Sequence, residues 1–265
     1  MRERIAVNFI GAYREFYKNI DNFERFLTFL GKERDVVVFA YVSEKSQYQR
    51  WHNEVFKKRE WKFYRESNEL NEKLFVKTMD KLGIPYVLEY YKSLENINIV
   101  KEDGIKNIVS HRGMKNIVLS GDTFVYQMLL EKRCGNMMIK YEKENNVRFD
   151  RVIRTRPDIY YKSSLLNNEM FNNEKFLYNL DFFYICNRNQ YEILFNKIEY
   201  LDFTNYIGHR WSLYVKLKEK IEEKKIVYIP PIDFNHYLNK SLMDLNGFES
   251  KIISDICIYR WIKKT

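Results

Sequence analysis

The chain has 265 residues and carries 45 Lys+Arg against 36 Asp+Glu, a formal charge of +9, with a sequence pI of about 9.2. With 45% hydrophobic and 17% aromatic residues, nine glycines and four prolines, it has ample material for a core, which excludes a disordered, collagenous or linker-rich protein. The length allows one large domain or two small ones.

Residues 5–10 form an apolar run that reads as a buried strand, and Gly11 to Arg14 opens a turn. A helical stretch follows, with Phe16, Ile20, Phe23, Phe26, Leu27 and Leu30 at three- and four-residue intervals and Gly31 where a C-cap belongs. Residues 35–42 are almost continuous Val and Phe, as in a strand covered on both faces of a parallel sheet. Together these segments make a βαβ unit. Residues 44–64 are crowded with charge and large aromatics and read as helical, residues 71–82 as a further helix ended by Gly83 and Pro85, and residues 86–90 as a short strand. Residues 116–119 are either an edge strand or a loop.

The clearest helix starts near Ser120 or Asp122, either of which suits a cap, and runs to Asn145, with Val125, Met128, Leu129, Met137, Met138 and Tyr141 on one face. Strands are expected at residues 152–161, 182–186 and 226–229, helices at 190–201 and 206–224, and a loop with one short helix after Pro230-Pro231. No repeat or Gly/Ser linker divides the chain. The expectation is a single domain over 1–265, with only a soft division into a strand-helix half, 1–160, and a more helical half, 161–265.

Cys134, Cys186 and Cys257 are an odd number at wide spacing, without a CxxC pair, so a disulfide framework and a structural zinc site have no support. The apolar run near the N-terminus is too short for a signal peptide. The longest later run, residues 36–42, is far below the roughly 20 residues of a membrane span.

The segment Arg151-Val152-Ile153-Arg154-Thr155-Arg156-Pro157-Asp158 carries most information. In an extended strand Val152, Arg154, Arg156 and Asp158 share one face, and Pro157 biases Arg156 toward the extended region. Side chains two apart stand roughly 6.6 Å apart, a spacing that suits a diphosphate gripped by two guanidiniums, with a divalent cation bridging it to the aspartate. Such a site belongs at the carboxyl end of a central strand. Purely internal pairs fit the same residues: Arg154 with Asp158, or Arg156 with Asp150 or Asp181.

The run from Phe149 to Ile159, preceded by a long helix ending in Tyr141-Glu142, resembles the central motif of GT-A-type glycosyltransferase-like proteins of large DNA viruses and bacterial surface-polysaccharide loci. The first strand with Gly11 and Arg14, the second strand and the strand after Asp181 are similar as well, over roughly residues 3 to 200. The resemblance implies a GT-A-like, Rossmann-like α/β domain with a mostly parallel sheet flanked by helices and a helical C-terminal part. It implies a hexosyltransferase that moves sugar from a UDP- or GDP-linked donor to a glycan or glycoprotein acceptor. Asp158 would hold Mn²⁺ or Mg²⁺, although Tyr160 stands where the common Asp-x-Asp form has its second acid. Gly11 and Arg14 would lie beside the nucleotide, Arg154 and Arg156 on the diphosphate. The implied setting is cytoplasmic, the host cytoplasm if the chain is viral.

Asp181 is the first candidate for a general base and Asp233 the second, while His209 and His236 are weaker candidates near an acceptor. Each also has an ordinary reading as a cap, turn or packed residue. The alternative function is a non-catalytic nucleotide- or polyanion-binding protein, including a degenerate transferase. A nucleic-acid reading rests on the basic aromatic stretch at residues 47–65, where Trp51 and Val55 at helical spacing favour a core-facing edge instead.

Overall fold

Alternation of side chains along two apolar strands fixes the layers of the molecule. Strand β1 (Glu3–Gly11) sends Ile5, Val7 and Phe9 to one buried cluster and Ala6 and Ile10 to the other. Strand β2 (Arg34–Ser43) does the same, so both are covered on two sides, as their unbroken hydrophobicity predicts. The computed structural model describes residues 2–13, 16–43, 68–91, 121–166, 171, 174–179, 183–197, 213–214, 228–229, 234–254 and 256–258.

Helix α1 (Phe16–Gly31) buries Phe16, Phe23, Phe26, Leu27 and Leu30, and helix α2 (Asn68–Leu82) adds Phe75 and Met79 to the same cluster. Phe9 is its centre, with ring centroids 4.9 Å from Phe23, 5.3 Å from Phe16 and 5.5 Å from Phe75. Full burial of one such ring contributes about 1.5–3 kcal/mol. Strand β3 (Tyr86–Tyr91) pairs with β2. Helix α3 (Gly121–Asn145) lies on the opposite face, with Met128, Leu129, Cys134, Met137 and Met138 buried there.

Strand β4 (Arg151–Thr155) runs parallel to β1 on the side away from β2. Strand β5 (Ile159–Tyr161), β6 (Phe176–Asn179) and β7 (Phe183–Asn187) follow, then α4 (Arg188–Phe195). The remaining elements are β8 (Leu213–Tyr214), β9 (Tyr228–Ile229), α5 (Phe234–Leu245), β10 (Ser250–Ile252) and β11 (Ile256–Ile258). The main sheet has seven strands in the order β10-β6-β7-β4-β1-β2-β3, and within it β7 alone opposes its neighbours. The fold is therefore α/β with a mostly parallel sheet between helices. With α1 and α2 on one face and α3 on the other, the crossovers reverse direction between β1 and β4, as right-handed connections require.

Among the described residues the second half brings the expected strand β7 and adds strands the sequence reading lacked: β6 and β10 complete the sheet, and β5 pairs with β11. The sheet is continuous across residue 160, because β7 pairs directly with β4. Leu213–Tyr214 is a strand paired with Tyr228–Ile229, which replaces part of the helix expected over 206–224. The helix expected over 190–201 begins earlier, at Arg188, because Asn187 caps it, and its helical run ends at Phe195. Residues 44–64 and 116–119 lie outside the described residues. Among the described residues no helix is long and apolar enough to cross a membrane.

Candidate functional site

Neighbouring parallel strands whose connections leave in opposite directions open a crevice at their carboxyl ends, and such switch points are where open α/β sheets bind ligands. Here the switch lies between β1 and β4, which end at Gly11 and Thr155. Gly11 has φ +125°, a conformation side-chain-bearing residues rarely adopt, and a Cβ built on it would stand 3.9 Å from Pro157 Cδ. The sequence candidates Gly11 and Asp158 are thus brought to the same end of the same two strands.

The extended alternation expected through Asp158 stops at Thr155. Ile159 N donates to Arg156 O at 3.2 Å, closing a turn with Pro157 in its second position, where a fixed φ of about −65° is favoured. Folded back by this turn, Arg156 donates to both carboxylate oxygens of Asp158, Nε at 2.9 Å and Nη2 at 2.8 Å. This internal pair differs from each one considered from the sequence. Asp158 is 4% exposed and the Arg156 side chain 13%, so the fork, just past the carboxyl end of β4, has limited access to water.

Arg154 goes elsewhere. It projects with Val152 toward α3, is 2% exposed, and its Nε lies 2.6 Å from Glu131 Oε1, a close ionic contact whose N–H is not aligned on that oxygen. Glu131 also accepts from Lys197 Nζ, which in turn donates to Asn239 Oδ1 at 3.1 Å. The expected paired grip of Arg154 and Arg156 on one diphosphate is therefore revised. The turn at Pro157 takes Arg156 off the strand, and the anion on α3 takes Arg154 inward.

Three supports hold the turn in place. Asn22 of α1 donates to Tyr161 O and accepts from Tyr161 N, both at 2.8 Å. Asn19 donates to Ile159 O. Tyr161 stacks on Phe26 with centroids 4.0 Å apart and shares a 2.6 Å hydrogen bond with Thr155. Burial drives the Tyr161 hydroxyl well above its ordinary range, with Asp158 adding to the shift and Thr155 opposing it. Beside the crevice, the Tyr13 hydroxyl is likewise raised by burial first, then by Tyr90 and Glu72.

A divalent cation is a poor fit to these residues. Both oxygens of Asp158 accept from Arg156, so a metal there would use only their remaining lone pairs beside a guanidinium that repels it, and Tyr160 brings no carboxylate. Among the described residues no group of three His, Cys, Asp or Glu gathers to hold a metal. Arg14, Asp181, His209 and Asp233 lie outside the described residues, as does the basic stretch at 47–65, and His236 falls on α5 with its side chain outside them. Two surface hollows, of about 610 Å³ along α2 and about 590 Å³ at the amino ends of β1 and β2, are lined by neither Gly11, Arg156 nor Asp158.

Sequence reasoning missed Glu131, Lys197 and Asn239. The signal for Glu131 was present, since it falls three residues after Met128 and seven before Met138, a carboxylate on the buried stripe of α3. Lys197 and Asn239 carry no comparable local pattern. No family model matches the chain, and no match was found among curated proteins or solved structures.

Proposed function

We propose that the protein is a nucleotide-sugar-dependent glycosyltransferase of GT-A type, with the donor diphosphate seated in the crevice between β1 and β4. The observation that carries this reading is the convergence of Gly11 and the Arg156-Pro157-Asp158 turn at the topological switch point of a mostly parallel sheet. The motif resemblance selects a diphosphate among the ligands such a crevice accepts.

In the transfer, an acceptor hydroxyl oxygen bonds to the anomeric carbon while the bond from that carbon to the β-phosphate oxygen breaks. The bonding pair stays on the nucleoside diphosphate, and the hydroxyl proton passes to a base, for which Asp181 is the candidate. Charge grows on the leaving diphosphate, so fixed N–H donors aimed at it lower the barrier more than they strengthen donor binding. No step of this reading passes through a metal. The acceptor is a glycan or glycoprotein, as the resemblance implies.

Titration calorimetry with UDP and GDP tests the seat, and release of nucleoside diphosphate from UDP- and GDP-sugars tests turnover. Binding of one nucleotide with a Kd below about 1 mM, the weak end of specific recognition at about −4 kcal/mol, is expected. Absence of binding by both would overturn the reading. Binding without turnover on any donor and acceptor pair would leave a nucleotide-binding protein in its place.

A further inference from the structure

We infer that the hollow at the amino ends of β1 and β2 is a second ligand site, which takes the carboxylate head and aliphatic chain of a single fatty-acid-like amphiphile. It lies at the opposite end of the strands from the β1–β4 crevice, and its occupancy is independent of the nucleotide seat. Its volume is about 590 Å³, within the roughly 300–1,000 Å³ range of small-molecule pockets. The start of β1 and three connections build it: α1 into β2, α2 into β3 and α3 into β4.

The wall is apolar where a chain would lie. Leu82, Ile84, Tyr141 and Val147 are half-buried and Pro85 is exposed, and all five line the hollow, so each leaves apolar surface for a ligand to cover. The rim is cationic: among the described residues Arg2, Arg4, Lys32 and Arg34 line it, with Asp35 as the one acid. Arg34 Nε is held by Glu3 at 2.9 Å. Arg2 donates to Gly31 O at 2.7 Å and Arg34 O at 3.2 Å, and its Nε lies 3.5 Å from Asp35. Arg4 and Lys32 differ, because their side chains have no hydrogen-bond or ion-pair partner among the described residues.

Helix carboxyl ends ordinarily repel an anion, since their free carbonyls carry partial negative charge. Here donors cover them: Arg2 at the end of α1, Gly83 N and Ile84 N on Asp80 O and Met79 O at the end of α2, and Val147 N on Glu142 O at the end of α3. Arg4 and Lys32 therefore set the sign of the rim. They suffice for one carboxylate but are too few to hold the protein on an anionic bilayer, where attachment takes a cluster of basic side chains.

The test is calorimetric titration of the full chain with dodecanoate, kept below its micelle-forming concentration, and with dodecyltrimethylammonium as the cationic control. Saturable binding of dodecanoate with a Kd below about 1 mM is expected, and binding of the cation at least about tenfold weaker. Lys32→Glu and Arg4→Gln are each expected to weaken dodecanoate about three- to tenfold, the scale of one partly exposed charge-assisted contact. Lys32 is exposed, so Lys32→Glu keeps the test open even if Arg4→Gln fails to fold. Lys251→Glu makes the same charge change at an exposed position outside the hollow and is expected to leave binding unchanged. No saturation by dodecanoate, equal binding of the cation, or an equal loss in Lys251→Glu would each overturn the inference. So would flotation of the protein with vesicles of equimolar phosphatidylcholine and phosphatidylglycerol that Lys32→Glu abolishes, which would assign the hollow to a membrane surface.

Discussion

The two faces of the central sheet bury comparable numbers of large side chains but solve different problems. Under α1 and α2 the filling is mostly aromatic, with Phe9, Phe16, Phe23 and Phe75 in mutual contact, and its buried polar side chains Asn19, Asn22, Thr155 and Tyr161 are uncharged. Under α3 the same strands meet Arg154, Glu131, Lys197, Asn239, Tyr184, Tyr191 and two thiols, all buried. A single strand, β4, serves both: Ile153 enters the first cluster and Val152 the second, with Arg154 beside Val152. The contrast shows that an arginine in a binding-like motif is not thereby a binding residue. Its neighbour across the interface decides, and for Arg154 that neighbour is a carboxylate.

The largest expected effect is at the hub of the polar face. Glu131→Ala removes the anion shared by Arg154 and Lys197, and loss of one member of a buried ion network costs about 3–5 kcal/mol. Urea unfolding should report it as a lower midpoint. Replacing Glu131, Arg154 and Lys197 together by Leu, Met and Met should recover much of that loss, because apolar side chains need no counter-ion. A Glu131→Ala cost below about 1 kcal/mol, the surface-pair range, would erase the distinction between the faces.

Next is Gly135, in the middle of α3. Glycine there sacrifices helix propensity of about 1 kcal/mol relative to alanine, yet a Cβ would stand 2.4 Å from Tyr191 Oη and 2.6 Å from Phe195 Cδ2. The close approach of α3 and α4 outweighs propensity, so Gly135→Ala is expected to destabilise by about 1–3 kcal/mol, as overpacking does. A stabilised variant in thermal unfolding would refute this account of the helix contact.

The polar face should also be the first to lose stability as pH rises, because thiols ordinarily titrate below the tyrosine hydroxyls. Burial pushes the Cys134 thiol well above its ordinary value, with Glu131 adding to the shift, and raises Cys186 while Arg151 opposes. A group that holds its proton more tightly when folded stabilises fully below its unfolded pKa. Its contribution is lost as pH rises through the interval up to the folded value, here from an unfolded thiol value of about 8.5. Each thiol is expected to add a slope of about 1.4 kcal/mol per pH unit to the fall in unfolding free energy above that point. Replacing Cys134 or Cys186 by alanine should flatten the curve, while a substitution at Phe9 should shift it without changing its slope.

How much of this was legible in the sequence follows from range. Strands β1 and β2 and helix α1 declare themselves because each buries a local pattern of at least nine residues. Strands β5, β10 and β11 have three residues each, too few for a period to emerge, and exist only through partners far along the chain. At the candidate site, alternation correctly separated Arg154 from Ile153. It failed past Thr155, because Pro157 favours the second position of a turn as well as an extended predecessor. The partners of Arg154 were hidden for the same reason as the short strands: Lys197 and Asn239 reach Glu131 from separate elements.

The smallest effect tests whether the polar face depends on local order at the start of α4. Asn187 ends β7 and caps α4 at once: its side chain accepts from Gln190 N at 2.9 Å, and the Gln190 side chain accepts from Asn187 N at 2.9 Å. Glu174 joins the box, its carbonyl accepting from Gln190 Nε2 at 2.8 Å. A helix of eight residues is too short to persist on propensity alone, so this cap and the burial of Tyr191 and Leu194 set its order. Asn187→Ala is expected to cost about 1 kcal/mol, and Asn187→Ser much less, because a serine oxygen caps nearly as well. Amide exchange should quicken across α4 while β1 stays protected, since only the helix loses a partner. Equal acceleration in both would mean that α4 and the central sheet open as one unit, and that the two faces differ in chemistry but not in cooperativity.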